Sequence, residues 1–225
     1  MFQHQGIWLP DGEKHFPDWM TRNGEIVDGK GTYQIKKLRE TLKHCKQFRT
    51  AVDVGAHVGL WSMHLAKRFH RVHAFEPVAS FRECFVRNIR EAPGVGTDTV
   101  DLAHCALGAE SRRVHMIIDC ADTGGTHVGK PAAELDGIQM HPMDRFLYEE
   151  VDLIKIDVEG FELEVLKGAV ETIKRCRPVI IVEQKPHKLL PNFGIKGAPA
   201  VDFLKAMGMV LAREMGGDYI MVWPA

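Results

Sequence analysis

Between residues 50 and 183 the chain repeats one rhythm: a short apolar run, then a longer segment whose apolar residues recur every three or four positions. The apolar runs at 50–54, 71–75, 100–107, 151–156 and 178–183 read as buried strands. The periodic segments at 58–69, 78–89, 162–176 and 200–207 read as helices, with Phe81, Phe85 and Ile89 sharing one face of the second. A further helix is predicted over 33–48, where Ile35, Leu38, Leu42 and Cys45 fall together. Lys36, Lys37, Arg39, Lys43 and Lys46 cover the rest of it, as a solvated face or, alternatively, a phosphate-binding one. Residues 113–119 form an extended segment followed by a glycine-bearing loop. The chain closes with strands at 209–214 and 219–223, joined by a Gly216-Gly217-Asp218 hairpin turn. Residues 1–32 read as an irregular arm anchored by Trp8, Phe16 and Trp19.

Strands alternating with amphipathic helices predict an α/β, doubly wound, mostly parallel sheet covered on both faces. The terminal hairpin adds an antiparallel pair to it. The expected division is an N-terminal arm and helix, 1–49, and a Rossmann-like domain, 50–225.

Composition narrows the partners. The 225 residues are 45% hydrophobic and 26% charged, an ordinary globular mixture. A formal net charge of −1 does not steer the molecule toward nucleic acid or an acidic membrane. No apolar run approaches a membrane span, and the first residues lack the basic and apolar blocks of a secretion signal. Five cysteines (Cys45, Cys84, Cys105, Cys120 and Cys176) lie scattered without a C-x-x-C pair. Reduced thiols in a cytoplasm are expected, with no zinc site.

Candidate chemistry starts at the end of the first predicted strand, AVDVGAHVGLW. In a doubly wound sheet, ligands bind beyond the carboxyl ends of the strands, where strand order reverses. Gly55 permits a tight turn there, and Gly59 a close approach at the following helix. The pattern is D-x-G-x-x-x-G. Ala56 and His57 stand where a dinucleotide-binding turn has its second glycine. Asp53 would repel a pyrophosphate and suits a ligand bearing a cation, such as an amino group or a sulfonium. Glu76, 21 residues after Gly55 in RVHAFEP, lies at the tip of the second strand, where a carboxylate takes both hydroxyls of a ribose.

AVDVGAHVGLWS, HAFEP, VDLIKIDVEGFELEVLKGA and PVIIVE together resemble the FkbM family of S-adenosylmethionine-dependent methyltransferases, over about residues 50 to 185. IDVEGFE is the most specific segment. The resemblance implies a seven-stranded class I methyltransferase fold, in which an antiparallel C-terminal hairpin is habitual. It implies S-adenosyl-L-methionine as cofactor and O-methylation of a hydroxyl. Asp53, Gly55 and Gly59 would then line the methionine half of the cofactor. Glu76 would hold the ribose, Pro77 would shape the loop beside it, and the adenine would lie near Cys105, Ala106 and Leu107. The family usually has Asn where this chain has His57, which alters a contact near the methionine moiety.

At the fourth strand tip, Lys155 and Asp157 are two apart and share a face. A mid-strand lysine calls for a partner, with Asp157 or Glu159 the expected one; alternatively Lys155 orients an acid or touches the acceptor oxygen. Asp157 would face the methyl-bearing centre. Glu162, in the first helical residues, reads as a charge at a helix N-terminus. Glu159, Glu183 and His187 are the candidate bases for an alcohol acceptor. A divalent metal held by Asp157, Glu183 and His187 is the less favoured use of these groups. The favoured acceptor is a hydroxyl of a small molecule or carbohydrate. A nucleic-acid acceptor is disfavoured, because Asp-Val-Glu-Gly replaces the Asn/Asp-Pro-Pro-Tyr/Phe loop and its acids repel phosphates. The alternatives are an NAD-dependent dehydrogenase, which the glycine spacing opposes, and a cofactor-binding module without turnover.

Overall fold

The computed structural model describes residues 1–131, 137–185, 194 and 196–224. Seven strands form its main sheet: β1 Thr50–Val54, β2 Arg71–Phe75, β3 Val100–Ala103, β4 Leu153–Ile156, β5 Val179–Glu183, β6 Val210–Glu214 and β7 Asp218–Val222. They lie in the order β3-β2-β1-β4-β5-β7-β6. The first five are parallel, whereas β7 runs antiparallel to both β5 and β6. The predicted doubly wound sheet with its terminal hairpin is therefore present. Strand order reverses between β1 and β4, which opens the carboxyl ends of the sheet at that point.

Side-chain alternation sorts the two faces. Val52, Val54, Ile154, Ile156, Ile180 and Val182 join one core cluster with α5 Glu162–Lys167, α6 Val170–Cys176 and α7 Pro199–Ala206. Ala51, Leu153, Val179, Ile181 and Ile220 join another. That second face is covered by α2 Ile35–Leu42, through Ile35 and Leu38, and by α3 Ser62–Leu65. The apolar stripe expected on α2 is thus the one buried. Three of the basic residues of this segment are paired: Lys37 with Asp218, Arg39 with Glu25 and Lys43 with Glu40.

Lys155 sits mid-strand on the second face, beside an acid not expected as its partner, Asp53. In the parallel register Lys155 lies opposite Asp53 of β1, on the same side of the sheet. Its ammonium is 3.1 Å from the Asp53 carboxylate and donates to the Gly55 carbonyl at 2.8 Å. Asp53, fully buried, also accepts a hydrogen bond from Ser62 of α3 at 2.7 Å. Burial alone would lower the lysine pKa, but Asp53 and then Asp157 outweigh it and hold the ammonium above its usual range.

Elsewhere backbone constraints shorten or split the predicted elements. The helix expected from Val58 begins only at Ser62, because His57 and Gly59 both have positive φ, +52° and +87°. The strand expected over 100–107 ends at Ala103. Ala106–Leu107 instead joins a second sheet with Arg112–Ile117, His127–Pro131 and Ile138–His141. The extended segment predicted at 113–119 is part of this insert. The helix expected over 162–176 breaks at Gly168 and Ala169 between α5 and α6. A Cβ on Gly168 would stand 2.0 Å from the Gly108 carbonyl oxygen, so the break is where the insert meets the main domain.

The N-terminal arm is more regular than its sequence suggests. It forms a hairpin (Phe2–His4 with Ile7–Leu9), then α1 His15–Asn23, then a second short hairpin (Ile26–Val27 with Lys30–Gly31). Ile7, Leu9, Phe16 and Met20 enter a core cluster with Val58, Phe81 and Phe85, the last two from α4 Ala79–Arg90. The arm thus shares the core of the domain it precedes.

Two outcomes are expected in urea unfolding. Gly168→Ala should cost about 2 kcal/mol or more, since the clash is with backbone. Lys155→Met should cost about 3–5 kcal/mol, because it leaves the Asp53 charge buried with only a hydroxyl partner. A midpoint unchanged in either variant contradicts the corresponding contact.

Candidate active site

The tips of β1, β2 and β4, the start of the insert and the N-terminal arm enclose one cavity. Its base is the turn after β1. Gly55 has φ +73°, and a Cβ there would lie 2.0 Å from the Asp157 carbonyl oxygen, so only glycine fits. The amides of Gly55 and Ala56 both donate to the Phe75 carbonyl at 3.1 Å, fastening the turn to β2. Gly55, Ala56, His57 and Leu60 line the cavity. Gly59 is placed differently from expectation: a Cβ on it would press on the Phe85 ring at 2.9 Å, so its close approach is to α4. Asp53 stands behind the wall, and the cation it holds is Lys155. Lys155 itself reaches the cavity wall.

Glu76 lies at the β2 tip, only 4% exposed, and with Pro77 lines the cavity. One carboxylate oxygen accepts the Val78 amide at 2.7 Å and the other the His57 amide at 2.9 Å. Each oxygen keeps a further lone pair for a ligand donor. Burial raises its pKa to about 7, against the pull of these two amides. Cys105, Ala106 and Leu107, at the bend from β3 into the insert, line the next stretch of wall.

The fourth strand tip gathers the acids. Glu159 and Gly160 turn the chain with φ +56° and +110°. Glu162 stabilises that turn: one oxygen accepts the Gly160 amide at 2.8 Å and the other a Gln184 amide hydrogen at 2.7 Å. Burial pushes its pKa to about 7. Gln184 in turn accepts the Ala200 amide at 3.0 Å, tying β5 to α7. The IDVEGFE segment is therefore partly a scaffold, with Glu162 as its internal cap. Asp157 and Glu159 line the cavity. Oxygens of Asp157, Glu159 and Glu183 lie within 4.8 Å of one another, and Lys185 pairs with Glu183. Such a group of acids can hold a cation, whether an ammonium or a hard divalent metal, or take a proton from an acceptor. His187, the third candidate base, lies outside the described residues.

The far side of the cavity comes from residues that the sequence did not single out. Tyr33, before α2, lines it. Burial, then Asp157 and Glu183, hold the Tyr33 phenol well above its usual pKa. Phe161 follows the β4 turn, and Thr123, Gly124, Thr126 and Val128 come from the insert. The only sequence signal for the last group was the glycines of the loop after 119. Phe16 of the arm, named as an anchor, stacks on the His57 ring at 4.8 Å between centroids and 18° between planes.

No curated protein matches the chain by sequence. Solved structures share its architecture. The FkbM methyltransferase from Methylobacillus flagellatus KT is 18% identical with a TM-score of 0.52, over 79% of this chain and 44% of that one. This chain thus spans less than half the length of that relative. The precorrin-6y C5,15-methyltransferase from Geobacter metallireducens GS-15 is 14% identical with a TM-score of 0.50, over 99% of this chain and 100% of that one. A Streptococcus mutans protein solved in complex with SAH is 9% identical with a TM-score of 0.50, over 84% of this chain and 96% of that one. At these identities the likeness shows the fold. Residues 53–208, more than half of the chain, match the family described as the methyltransferase FkbM domain. With the glycine turn, the β2-tip acid and the IDVEGFE scaffold all inside that span, the chain belongs to the FkbM methyltransferase family.

Proposed function

We propose that the cavity binds S-adenosyl-L-methionine and that the protein transfers its methyl group to a hydroxyl of a small molecule or glycan. The observation that carries this reading is the Glu76 carboxylate, set into the cavity wall beside a turn that only glycine can make, in a chain of this family. A buried pair of acceptor oxygens answers the vicinal hydroxyls of a ribose. The turn carries Ala56 and His57 where a pyrophosphate-binding turn has its second glycine. The fold neighbour that holds SAH supports the same choice of ligand.

Under this reading Glu76 takes the ribose hydroxyls, with Pro77 shaping the loop. Ala106 and Leu107 flank the adenine. Gly55 and His57 border the methionine half, and Asp157 adds negative charge for a cationic ligand. The bound cofactor supplies an electrophilic methyl on a sulfonium. The protein's share is to align an acceptor oxygen, exclude water and accept its proton. Glu159 and Glu183, buried near the Asp157 carboxylate, are the bases within the described residues; His187 is the third candidate. Lys155 serves them indirectly, by fixing the β1 turn through the Gly55 carbonyl. Among the described residues no helix is long and apolar enough to cross a membrane.

S-adenosylmethionine or its demethylated product should raise the melting temperature, and NAD should not. A shift with NAD alone overturns the assignment, and radiolabelled methyl transfer to candidate alcohols tests the reaction. Glu76→Ala should weaken cofactor binding by more than ~1 kcal/mol in calorimetry; unchanged affinity removes Glu76 from the ribose role. A pH dependence follows as well. In the apo protein Glu76 holds its proton up to about pH 7, above the unfolded value of 4.5. The folded state thus binds more protons in that window, and the Glu76 contribution to stability falls as pH rises through it. Glu76→Gln should therefore gain stability relative to the parent from pH 4.5 to 7, as read by parallel urea titrations.

A further inference from the structure

His57 stands where the family usually has Asn, and the surroundings of its ring fix its protonation. Glu13 of the arm, 3% exposed, accepts the Phe16 amide with one carboxylate oxygen at 2.8 Å. The other oxygen accepts the Thr123 amide at 2.8 Å and the Thr123 hydroxyl. Because its O–H donates to Glu13, the Thr123 hydroxyl can only accept from His57 Nε2, 2.8 Å away. His57 is therefore the Nε2–H tautomer, and Nδ1 carries a bare lone pair. Burial, reinforced by Lys155 and opposed by Asp157, lowers the imidazole pKa to about 3, so the ring stays neutral at physiological pH.

Nδ1 is buried and has no hydrogen-bond partner among the described residues, although His57 lines the cavity. A buried acceptor without a donor is costly, and a ligand can remove that cost. The cofactor has three kinds of donor: the adenine amino group, the ribose hydroxyls and the α-ammonium. Glu76 answers the hydroxyls, and the adenine belongs beside Ala106 and Leu107. The charged groups acting on the His57 ring are Lys155 and Asp157, on the β4 side to which the cofactor reading above assigns the methionine half. Resting on the cofactor reading above, we propose that His57 Nδ1 accepts a hydrogen bond from the α-ammonium of the cofactor. Glu13 and Thr123 act as positioning residues that hold the imidazole in the accepting tautomer. Through these two residues the arm and the insert contribute to recognition of the α-ammonium by way of the His57 ring.

The test is calorimetry with two probes, S-adenosylhomocysteine and its analogue with hydrogen in place of the α-amino group. The parent should bind the first about tenfold more tightly or better. His57→Leu should lose that factor for S-adenosylhomocysteine and bind the deamino analogue as the parent does. Thr123→Val should fall between the two, and Thr123→Ser should match the parent. Equal losses for both probes, or no loss for S-adenosylhomocysteine, overturn the proposal. Nitrogen-15 chemical shifts of the His57 ring in the unsubstituted protein give a readout independent of any variant's folding. Protonated Nε2 with bare Nδ1 supports the relay; protonated Nδ1 overturns it. Failure of the parent to bind S-adenosylhomocysteine at all is a different result, and it overturns the cofactor assignment itself.

Discussion

One ammonium holds the place where the sheet changes direction. Lys155 reaches across from β4 to the Asp53 carboxylate and the Gly55 carbonyl, so the two strands that flank the reversal are fixed at their open ends. Without it, Asp53 would be a buried charge with a single hydroxyl for company. The turn after β1 could then slide against Asp157, with which it is in contact too close for any side chain. Two of the groups assigned to the ligand depend on that turn: His57 through its own backbone, and Glu76 through the His57 amide. The pair contributes geometry more than net stability, since buried ion pairs gain little over apolar packing.

Around that fixed seam the site is composite. The domain supplies the acids and the glycine turn, the insert supplies Thr123, Thr126 and Val128, and the arm supplies Phe16 and Tyr33. A ring of aromatic and apolar side chains surrounds a few polar groups, the usual make-up of a small-ligand pocket. Low local polarity explains why Glu76 and Glu162 hold protons to about pH 7 while His57 refuses one.

Much of this could be read along the chain. The five parallel strands and the terminal hairpin follow from apolar runs and a Gly-Gly-Asp turn, and α2 and α4 bury the faces their periodicity marks. Gly55 and Glu76 carry their spacing in the sequence and do reach one cavity. Asp53 and Lys155 were visible as costly residues, yet their pairing depends on ladder register, which no local pattern encodes. The helix breaks at His57–Gly59 and Gly168 come from positive φ and from a glycine-on-backbone contact, both tertiary in origin. Thr123 and Glu13 lie 110 residues apart, and nothing near either announces the link. The arm looked irregular because its elements are short, and they are held by packing rather than propensity.

The contact between Gly108 and Gly168 has a bearing on how a fold of this kind can change what its cavity admits. The four-stranded insert leaves the sheet at the end of β3, lines the ligand chamber, and returns before β4. It is seated on the main body where one glycine's carbonyl meets another's bare Cα. The lobe is held as well by Glu13 and His57 through Thr123 and by packing on Phe161, so its inner wall can be recarved only where those contacts are kept. Substitutions that enlarge either glycine would tilt the whole lobe and reshape the chamber at a distance. Grafting a different lobe onto this scaffold would succeed only where the graft brings an equally bare backbone to that joint.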